Sequence, residues 1–217
     1  MTDDFGIEPR GRRRVAWWVA AVAIVVAVVV VSFFQESGGD DVLLTGEDFG
    51  GEYDVAVMSS EELRQAAVSE LPPGIEPAEC AELLRARPEP AEPGDASGVT
   101  ARGDATAYLE LVLPADGVSE WDTGRLAEVV DACRTTTFDD GETTGTVEFS
   151  HLPAPNDSGF ALAARVSGSD GVVTLGVAVS RVGDHVVVLT GAAQGDLDRD
   201  EFSRLARAAN DRVTARQ

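Results

Sequence analysis

Lysine is absent from this 217-residue sequence, and cysteine and histidine occur only twice each. All 17 basic residues are therefore arginine, and they face 38 acidic residues, which gives a net charge of −21. Nucleic-acid binding needs clustered cations for phosphate contacts, so this balance excludes nucleic acid as a partner. Two cysteines and two histidines are also too few for a multi-cysteine zinc site or a dense disulfide scaffold. We expect neither a metal nor a cofactor.

One long apolar run stands near the start of the chain. Residues 15–34 read VAWWVAAVAIVVAVVVVSFF and contain no charge. A helix of about 20 residues is about 30 Å long, the thickness of a bilayer's hydrocarbon core. Trp17 and Trp18 lie at one end of the run, where indole rings favour the headgroup boundary. The run therefore predicts a single transmembrane helix, with the lipid bilayer as its partner.

The charges around this run predict its orientation. Four arginines precede it, whereas acidic residues follow it from Glu36 onward. The positive-inside rule then makes residues 1–14 a basic cytoplasmic tail and places the rest of the chain outside the cell membrane. A cleaved secretory signal is the competing interpretation, but its apolar core is shorter and Ser32-Phe-Phe-Gln35 is a poor cleavage site. We therefore expect an uncleaved, single-pass signal anchor.

The composition divides the outer portion into a linker and one domain. Residues 35–58 are rich in glycine and acidic residues and are predicted to be a juxtamembrane linker, with a short strand over Glu52–Met58. Val42, Leu43 and Leu44 interrupt this polar stretch, and we expect them to contact the domain. Residues 59–217 follow as one extracytoplasmic α+β domain.

Periodicity predicts the elements of this domain. A capping box at Ser59 begins a helix that ends before Pro72, and a second helix contains Cys80. Alternation predicts a strand over 106–113, and apolar spacing predicts a helix that ends near Cys133. Four more strands and a closing helix follow, over 146–152, 160–166, 173–179, 185–190 and 198–216. The expected fold is α+β: an antiparallel sheet of about five strands with helices on one face, preceded by a single transmembrane helix.

Cys80 and Cys133 each lie on the apolar stripe of a predicted helix. Outside the cytoplasm disulfides persist, so we predict a bridge between them. A bridge that closes a loop of about 54 residues contributes about 4 kcal/mol on the chain-entropy model. The alternative is two buried thiols. Neither cysteine has a histidine close in sequence, which disfavours a catalytic role.

The remaining polar motifs favour structural interpretations. The acidic run 196–201 lacks the glycine and glutamate of a calcium loop at the required positions, so it predicts a helix N-terminus. His151 is expected in the core or at a sheet edge, and His185 is expected to be exposed. Nucleophile-elbow, P-loop and dinucleotide motifs are absent from the sequence. We assign no catalytic or metal residue and no ligand-binding residue, and regard the loop 152–159 as a candidate lip of a cleft.

Several of these features together resemble a known group of proteins. The run Pro77-Ala-Glu-Cys-Ala-Glu-Leu-Leu84, the strand with Tyr108 and the helix that ends at Cys133 resemble actinobacterial extracellular sensor-like domains. These occur in mycobacterial lipoproteins and in PknH-type serine/threonine kinases. The resemblance covers about residues 70–215 and implies an α+β fold with a cleft for a ligand. This chain departs from the kinase sensors in having no second cysteine pair, and from the lipoproteins in its predicted protein span.

These observations predict a membrane-anchored, extracytoplasmic ligand-binding or sensor-like module of the bacterial cell envelope, which is not an enzyme. Its ligand would lie in a cleft between the sheet and the helices. The alternative is an envelope protein-protein interaction or scaffold protein, and a third hypothesis is an unrecognised hydrolase. A concave apolar pocket favours the first, a flat apolar patch the second, and clustered polar groups with shifted pKa values the third.

Overall fold

The computed structural model describes residues 42–59, 74–85, 96–115, 123–139, 144–169 and 171–217. The predicted transmembrane helix, the cytoplasmic tail and most of the predicted helix that starts at Ser59 lie outside these residues. Within these ranges, no helix is long and apolar enough to cross a membrane.

Eight antiparallel strands form one sheet in the described part of the chain. They are β1 (Asp54–Val57), β2 (Ser97–Arg102), β3 (Thr106–Pro114), β4 (Thr135–Asp139), β5 (Thr144–His151), β6 (Gly159–Gly168), β7 (Gly171–Val182) and β8 (His185–Gln194). Their spatial order is β1-β2-β3-β8-β7-β6-β5-β4. The antiparallel sheet and the five alternating segments are confirmed.

The strand count of about five was too low, because β2 and β4 carry weak sequence signals. β2 follows a stretch rich in proline and glycine and contains Gly98, a residue that disfavours strands. β4 consists mostly of threonines, and its only large apolar residue is Phe138. Both segments form strands because each pairs with a neighbouring strand. This pairing cannot be seen in the sequence of either segment alone.

Three helices accompany the sheet in the same ranges: α1 (Ala78–Arg85), α2 (Thr123–Ala132) and α3 (Arg199–Thr214). The acidic run before α3 is its N-terminus, as predicted. Asp198 accepts hydrogen bonds from the backbone N–H groups of Asp200 at 3.0 Å and Glu201 at 2.9 Å. This cap satisfies two donors that have no partner inside the helix.

The helices lie on both faces of the sheet, so the prediction that they share one face was wrong. α1 and α2 pack on one side, with α2 against β5 and β6. We call this side the disulfide face. α3 packs against β7 and β8 on the other side, which we call the α3 face. A separate apolar core fills each side.

Alternation along each strand explains the second core. On β3, Leu111 and Leu113 point to the disulfide face, while Tyr108 and Val112 are buried on the α3 face. A sheet buried on both faces needs apolar residues at consecutive positions, and β6 to β8 provide them. The one-face prediction used only half of each alternating pattern.

Two glycines allow α3 to lie close to the sheet. Gly176 on β7 and Gly191 on β8 are direct partners in the antiparallel register. A methyl group placed on Gly176 would lie 2.6 Å from Leu197 Cδ2, and one on Gly191 would lie 3.1 Å from Phe202 Cδ2. Phe202, which is 1 % exposed, therefore packs directly against the backbone of the two strands.

Residues 42–53, which we call the N-terminal segment, pack on the α3 face. Leu43, Leu44 and Phe49 are buried there, which confirms the expected contact of the two leucines with the domain. The folded unit thus includes residues 42–53, which are part of the predicted linker 35–58. Although most of this stretch is polar, the three buried apolar residues hold it to the domain.

Candidate functional site

The two cysteines form the predicted disulfide. Cys80 in α1 and Cys133, the residue after α2, are bonded, with their Cα atoms 5.2 Å apart. Both are fully buried in the core of the disulfide face. The bond joins the two helices of that face and leaves no free thiol there. Its role is structural.

An open groove of about 160 Å³ lies on the disulfide face, and its lining residues all belong to strands. Its floor is formed by β2, β3, β8 and β7, and two rows of residues that are paired across the strands point into it. One row is Arg102, Ala107, Ala192 and Leu175, and the other begins with Thr100, Leu109 and Thr190. The depth of the groove follows from the two alanines, whose side chains are shorter than those of Leu109 and Leu175.

The interior of the groove is apolar. Thr190 Oγ1 donates a hydrogen bond to the backbone oxygen of Leu109 at 3.5 Å, and Thr100 Oγ1 donates one to Ala56 at 3.4 Å. Both hydroxyl groups are therefore satisfied within the sheet. An apolar lining with few polar groups is typical of small-molecule sites. The groove suits an apolar group of a ligand.

One charged side chain lies at the rim of the groove. Arg102 ends the first row on β2 and is exposed. It forms no ion pair with any carboxylate in the described residues. Asp54 is its partner in the register between β1 and β2 and is also exposed. The guanidinium is therefore available to a ligand, with one acidic side chain nearby.

The α3 face holds a buried carboxyl group beneath the N-terminal segment. Glu110 on β3 is 0 % exposed, and its Oε2 accepts a hydrogen bond from the backbone N–H of Leu44 at 2.6 Å. Its Oε1 has no partner among the described residues. Burial raises the pKa of Glu110 to about 8, and the negative charge of Asp48 adds to the rise. The Leu44 N–H and the positive charge of Arg212 oppose it.

An ion pair holds the same segment to α3. Asp48 Oδ2 lies 2.6 Å from Arg212 Nη2 and accepts a hydrogen bond from the backbone N–H of Thr45 at 2.7 Å. Partial burial acts to raise the pKa of Asp48. The hydrogen bonds from Thr45 and the charge of Arg212 outweigh it, so the pKa is lowered. Arg204 Nη1 also donates to the backbone oxygen of Asp48 at 2.9 Å.

Three aromatic rings complete the contact between the segment and the sheet. Tyr108 donates a hydrogen bond to Glu201 at 3.0 Å, and Tyr53 lies 3.5 Å from the same carboxylate. Burial first, and then the negative charge of Glu201, raise the pKa of both tyrosines. The ring of Phe49 packs against both of the other rings. The two tyrosine hydroxyl groups and Glu201 thus lie together where the segment, the sheet and α3 meet.

The other residues singled out in the sequence do not converge on a site. His151 is exposed at the end of β5, with Nε2 3.6 Å from Asp131 Oδ1. His185 is half-buried instead of exposed, and its Nδ1 has no hydrogen-bond partner in the described structure. The loop 152–159 is held through Asn156, whose Nδ2 donates to the backbone oxygen of Arg181.

That loop does not border the groove. Arg181 is six residues beyond Leu175 on β7, a distance of about 20 Å along a strand. The lip expected from the sequence is therefore far from this opening. Sequence reasoning also missed Arg102 and Thr100, because their strand was not predicted. The alternation of Ala107, Leu109 and Leu111 was the only signal that one face of β3 is apolar.

The sheet, its helices on both faces and the single disulfide define the chain as an α+β domain. A model for the family described as "Domain of unknown function (DUF5642)" matches residues 41–197. The chain belongs to that family. Among curated proteins, none matches this chain.

Two solved structures that share this fold come from mycobacteria. One is an uncharacterised protein from Mycobacterium smegmatis, the Rv0999 ortholog, with a TM-score of 0.56 and 19 % identity over 77 % of this chain and 92 % of that one. Another is the extracellular domain of PknH from Mycobacterium tuberculosis, with a TM-score of 0.51 and 12 % identity over 83 % and 98 % of the two chains. At these identities the similarity concerns the fold, and it confirms the expected resemblance to this group.

Proposed function

We propose that this protein is a membrane-anchored, extracytoplasmic, sensor-like module of the bacterial cell envelope that binds a small ligand through an apolar group. The groove on the disulfide face carries the proposal. It is concave and apolar, and it is made of sheet residues whose positions are fixed by pairing on both sides. Such a preformed apolar site binds without a large ordering cost.

The proposed location has three supports. Residues 15–34 are apolar over a bilayer's thickness and follow an arginine cluster, which favours a cytoplasmic N-terminus. Cys80 and Cys133 form a disulfide, a bond that persists outside the cytoplasm. The fold is shared with an extracellular domain. We therefore place residues 35–217 outside the membrane.

The proposed activity is binding without catalysis. The described groups with the largest pKa shifts, Glu110 and Tyr108, are buried on the α3 face, opposite the groove. A catalytic site instead places such groups in a cleft that a substrate enters.

The experiment is a titration of the full chain, in nanodiscs of zwitterionic lipid, with 1-hexanol. The six-carbon chain is an apolar probe of suitable size for the groove. Methyl NMR signals of Leu109 and Leu175 report from its floor, and those of Leu205 in α3 serve as the internal reference. We expect saturable shifts at Leu109 and Leu175 only.

A pair of variants makes this test specific. Ala107→Phe places a ring in the groove, and we expect it to abolish the saturable shifts. Thr144→Phe introduces the same ring at another exposed strand position, on β5, and should leave the titration unchanged. Shifts that persist in Ala107→Phe, or that are absent from the unmodified chain, contradict a ligand site in this groove.

A protein-interaction role is the second candidate, and one observation favours it. Val57 on β1 is 54 % exposed, the one large apolar side chain with such exposure among the described residues. β1 is also an edge strand, and an exposed edge can pair with another chain. A photocrosslinker at position 57 in native membranes tests this role, with position 47 as an exposed control. A discrete adduct from position 57 alone supports it.

A further inference from the structure

We propose that the groove takes a small amphiphile, whose apolar part lies on Leu109, Leu175 and Ala192 and whose anionic group pairs with Arg102. This inference rests on the proposed function, because it names the class of ligand that the same groove accepts.

The interior of the groove explains the apolar part. The hydroxyl groups of Thr100 and Thr190 already donate to backbone oxygens, so neither donor is free for a ligand. A polar group in the interior would lose its hydrogen bonds to water without replacing them, which is unfavourable. An alkyl or similar apolar group loses nothing of this kind and gains contact with the leucines.

The rim explains the anionic part. Arg102 is the charged residue that lines the groove, and its backbone is held by pairing with Asp54 on one side and Ala107 on the other. Its guanidinium forms no ion pair with a carboxylate of the described residues, although the chain carries 38 acidic residues. Guanidinium groups bind carboxylate and phosphate through two parallel hydrogen bonds.

The position of Arg102 fits a ligand that lies along the first row. Ala107, Ala192 and Leu175 follow it across the sheet, one strand apart from each other. Strands are about 4.8 Å apart, so the row from Arg102 to Leu175 is about 14 Å long. An extended short amphiphile with its head at Arg102 therefore reaches the apolar positions on β3 and β8.

Asp54 provides an internal competitor. It is the direct partner of Arg102 in the β1–β2 register, so their side chains leave the same face of the sheet. An acidic side chain beside the guanidinium repels an anionic ligand, and it also competes with that ligand for the positive charge of the guanidinium. Its removal should therefore strengthen the binding of an anion.

The experiment compares three probes that share a six-carbon chain: hexanoate, 1-hexanol and hexylammonium. Each is titrated into the full chain in zwitterionic nanodiscs at low salt, and the methyl signals of Leu109 and Leu175 give the dissociation constants. For an exposed charge pair we expect hexanoate to bind about fivefold more tightly than 1-hexanol. Hexylammonium should bind more weakly than either, and added salt should reduce the difference.

Two variants at the rim test the residues named. Arg102→Gln should remove the preference for hexanoate, so that hexanoate binds no more tightly than 1-hexanol. Asp54→Asn should increase the preference for hexanoate. Arg165→Gln removes another exposed arginine, on β6 and away from the groove, and should change neither value. The 1-hexanol titration of each variant also shows that its groove is intact.

The outcomes separate the two proposals. Equal binding of hexanoate and 1-hexanol by the unmodified chain overturns the anionic class but leaves the apolar site in place. A preference for hexanoate that survives Arg102→Gln overturns the assignment of this arginine. If no probe shifts the groove signals, the proposed function fails together with this inference.

Discussion

Glu110 gives the most quantitative prediction from this structure. Its carboxyl group is fully buried, and burial raises its pKa from the ordinary 4.5 to about 8. The folded state therefore holds this proton over a pH range in which the unfolded state has released it. Stability contributed by the protonated group is complete below about pH 4.5 and is lost as the pH rises toward 8.

The change that isolates this effect is Glu110→Gln. The amide keeps an oxygen that accepts from the Leu44 N–H, and it does not ionise between pH 5 and pH 8. One proton corresponds to about 1.4 kcal/mol per pH unit. The free energy of unfolding of the variant, relative to the unmodified protein, should therefore rise by roughly 3 kcal/mol between pH 5 and pH 7.

The assay is urea unfolding of the full chain in nanodiscs, followed by circular dichroism at several pH values. The informative quantity is the slope with pH. The amide also adds a buried N–H₂ group where Oε1 has no described partner, and the resulting cost, about 1–3 kcal/mol, does not depend on pH. Asp48→Asn is the matched control. The pKa of Asp48 is lowered, so its own contribution is lost only at acidic pH. Its charge is the weakest of the influences on the pKa of Glu110, so the difference between this variant and the unmodified protein should change much less with pH than that of Glu110→Gln.

Parallel curves for the unmodified protein and Glu110→Gln would contradict the raised pKa of Glu110. They would show that Glu110 has the same pKa in the folded and unfolded states, and hence that the N-terminal segment does not exclude water from it. A slope of the opposite sign would show that the folded state prefers the carboxylate, which would make the Leu44 N–H and Arg212 stronger influences than burial.

Three further predictions concern stability. Gly176→Ala should lower the free energy of unfolding, measured by urea titration, by about 1–3 kcal/mol, because the new methyl group would overlap Leu197 and the ring of Phe202. Gly46→Ala is the control: no atom lies closer than 4.0 Å to its new methyl group, so the free energy of unfolding should change little. Replacing both Cys80 and Cys133 with serine should cost about 2–5 kcal/mol, and reduction of the unmodified protein should lower its melting temperature while leaving that of the variant unchanged. An Arg212→Gln variant removes the ion pair with Asp48 and should expose the N-terminal segment. Amide hydrogen exchange at Leu44 and Thr45 should then accelerate, while exchange in β7 should not. Uniform acceleration across the sheet would indicate global destabilisation instead.

The elements that the sequence predicted well are those whose signal is local. The alternation in β3 and the cap at Asp198 each depend on a few neighbouring residues, and both are present. The disulfide followed from two apolar stripes and from the predicted compartment. The apolar run 15–34 was equally local in its signal and stays a prediction.

The elements that the sequence missed depend on pairing between distant segments. β2 and β4 became strands because β3 and β5 offer them backbone partners, although their own composition is unfavourable. The core on the second face has the same origin. Gly176 and Gly191 leave room for Phe202 of α3, and this role cannot be inferred until a helix from the end of the chain is known to lie over them.

The acidic charge, the disulfide pair, the class of fold and the lack of familiar catalytic motifs could all be read from the sequence, because each of them is a property of composition or of short spacing. Which side chains share the groove depends instead on the tertiary structure. Arg102, Leu109, Thr190 and Leu175 come from four strands that are separated by loops in the chain, and their proximity follows from strand order and register. The burial of Glu110 was likewise decided by the N-terminal segment, because the desolvation of a carboxyl group depends on what covers it and not on its neighbours in sequence.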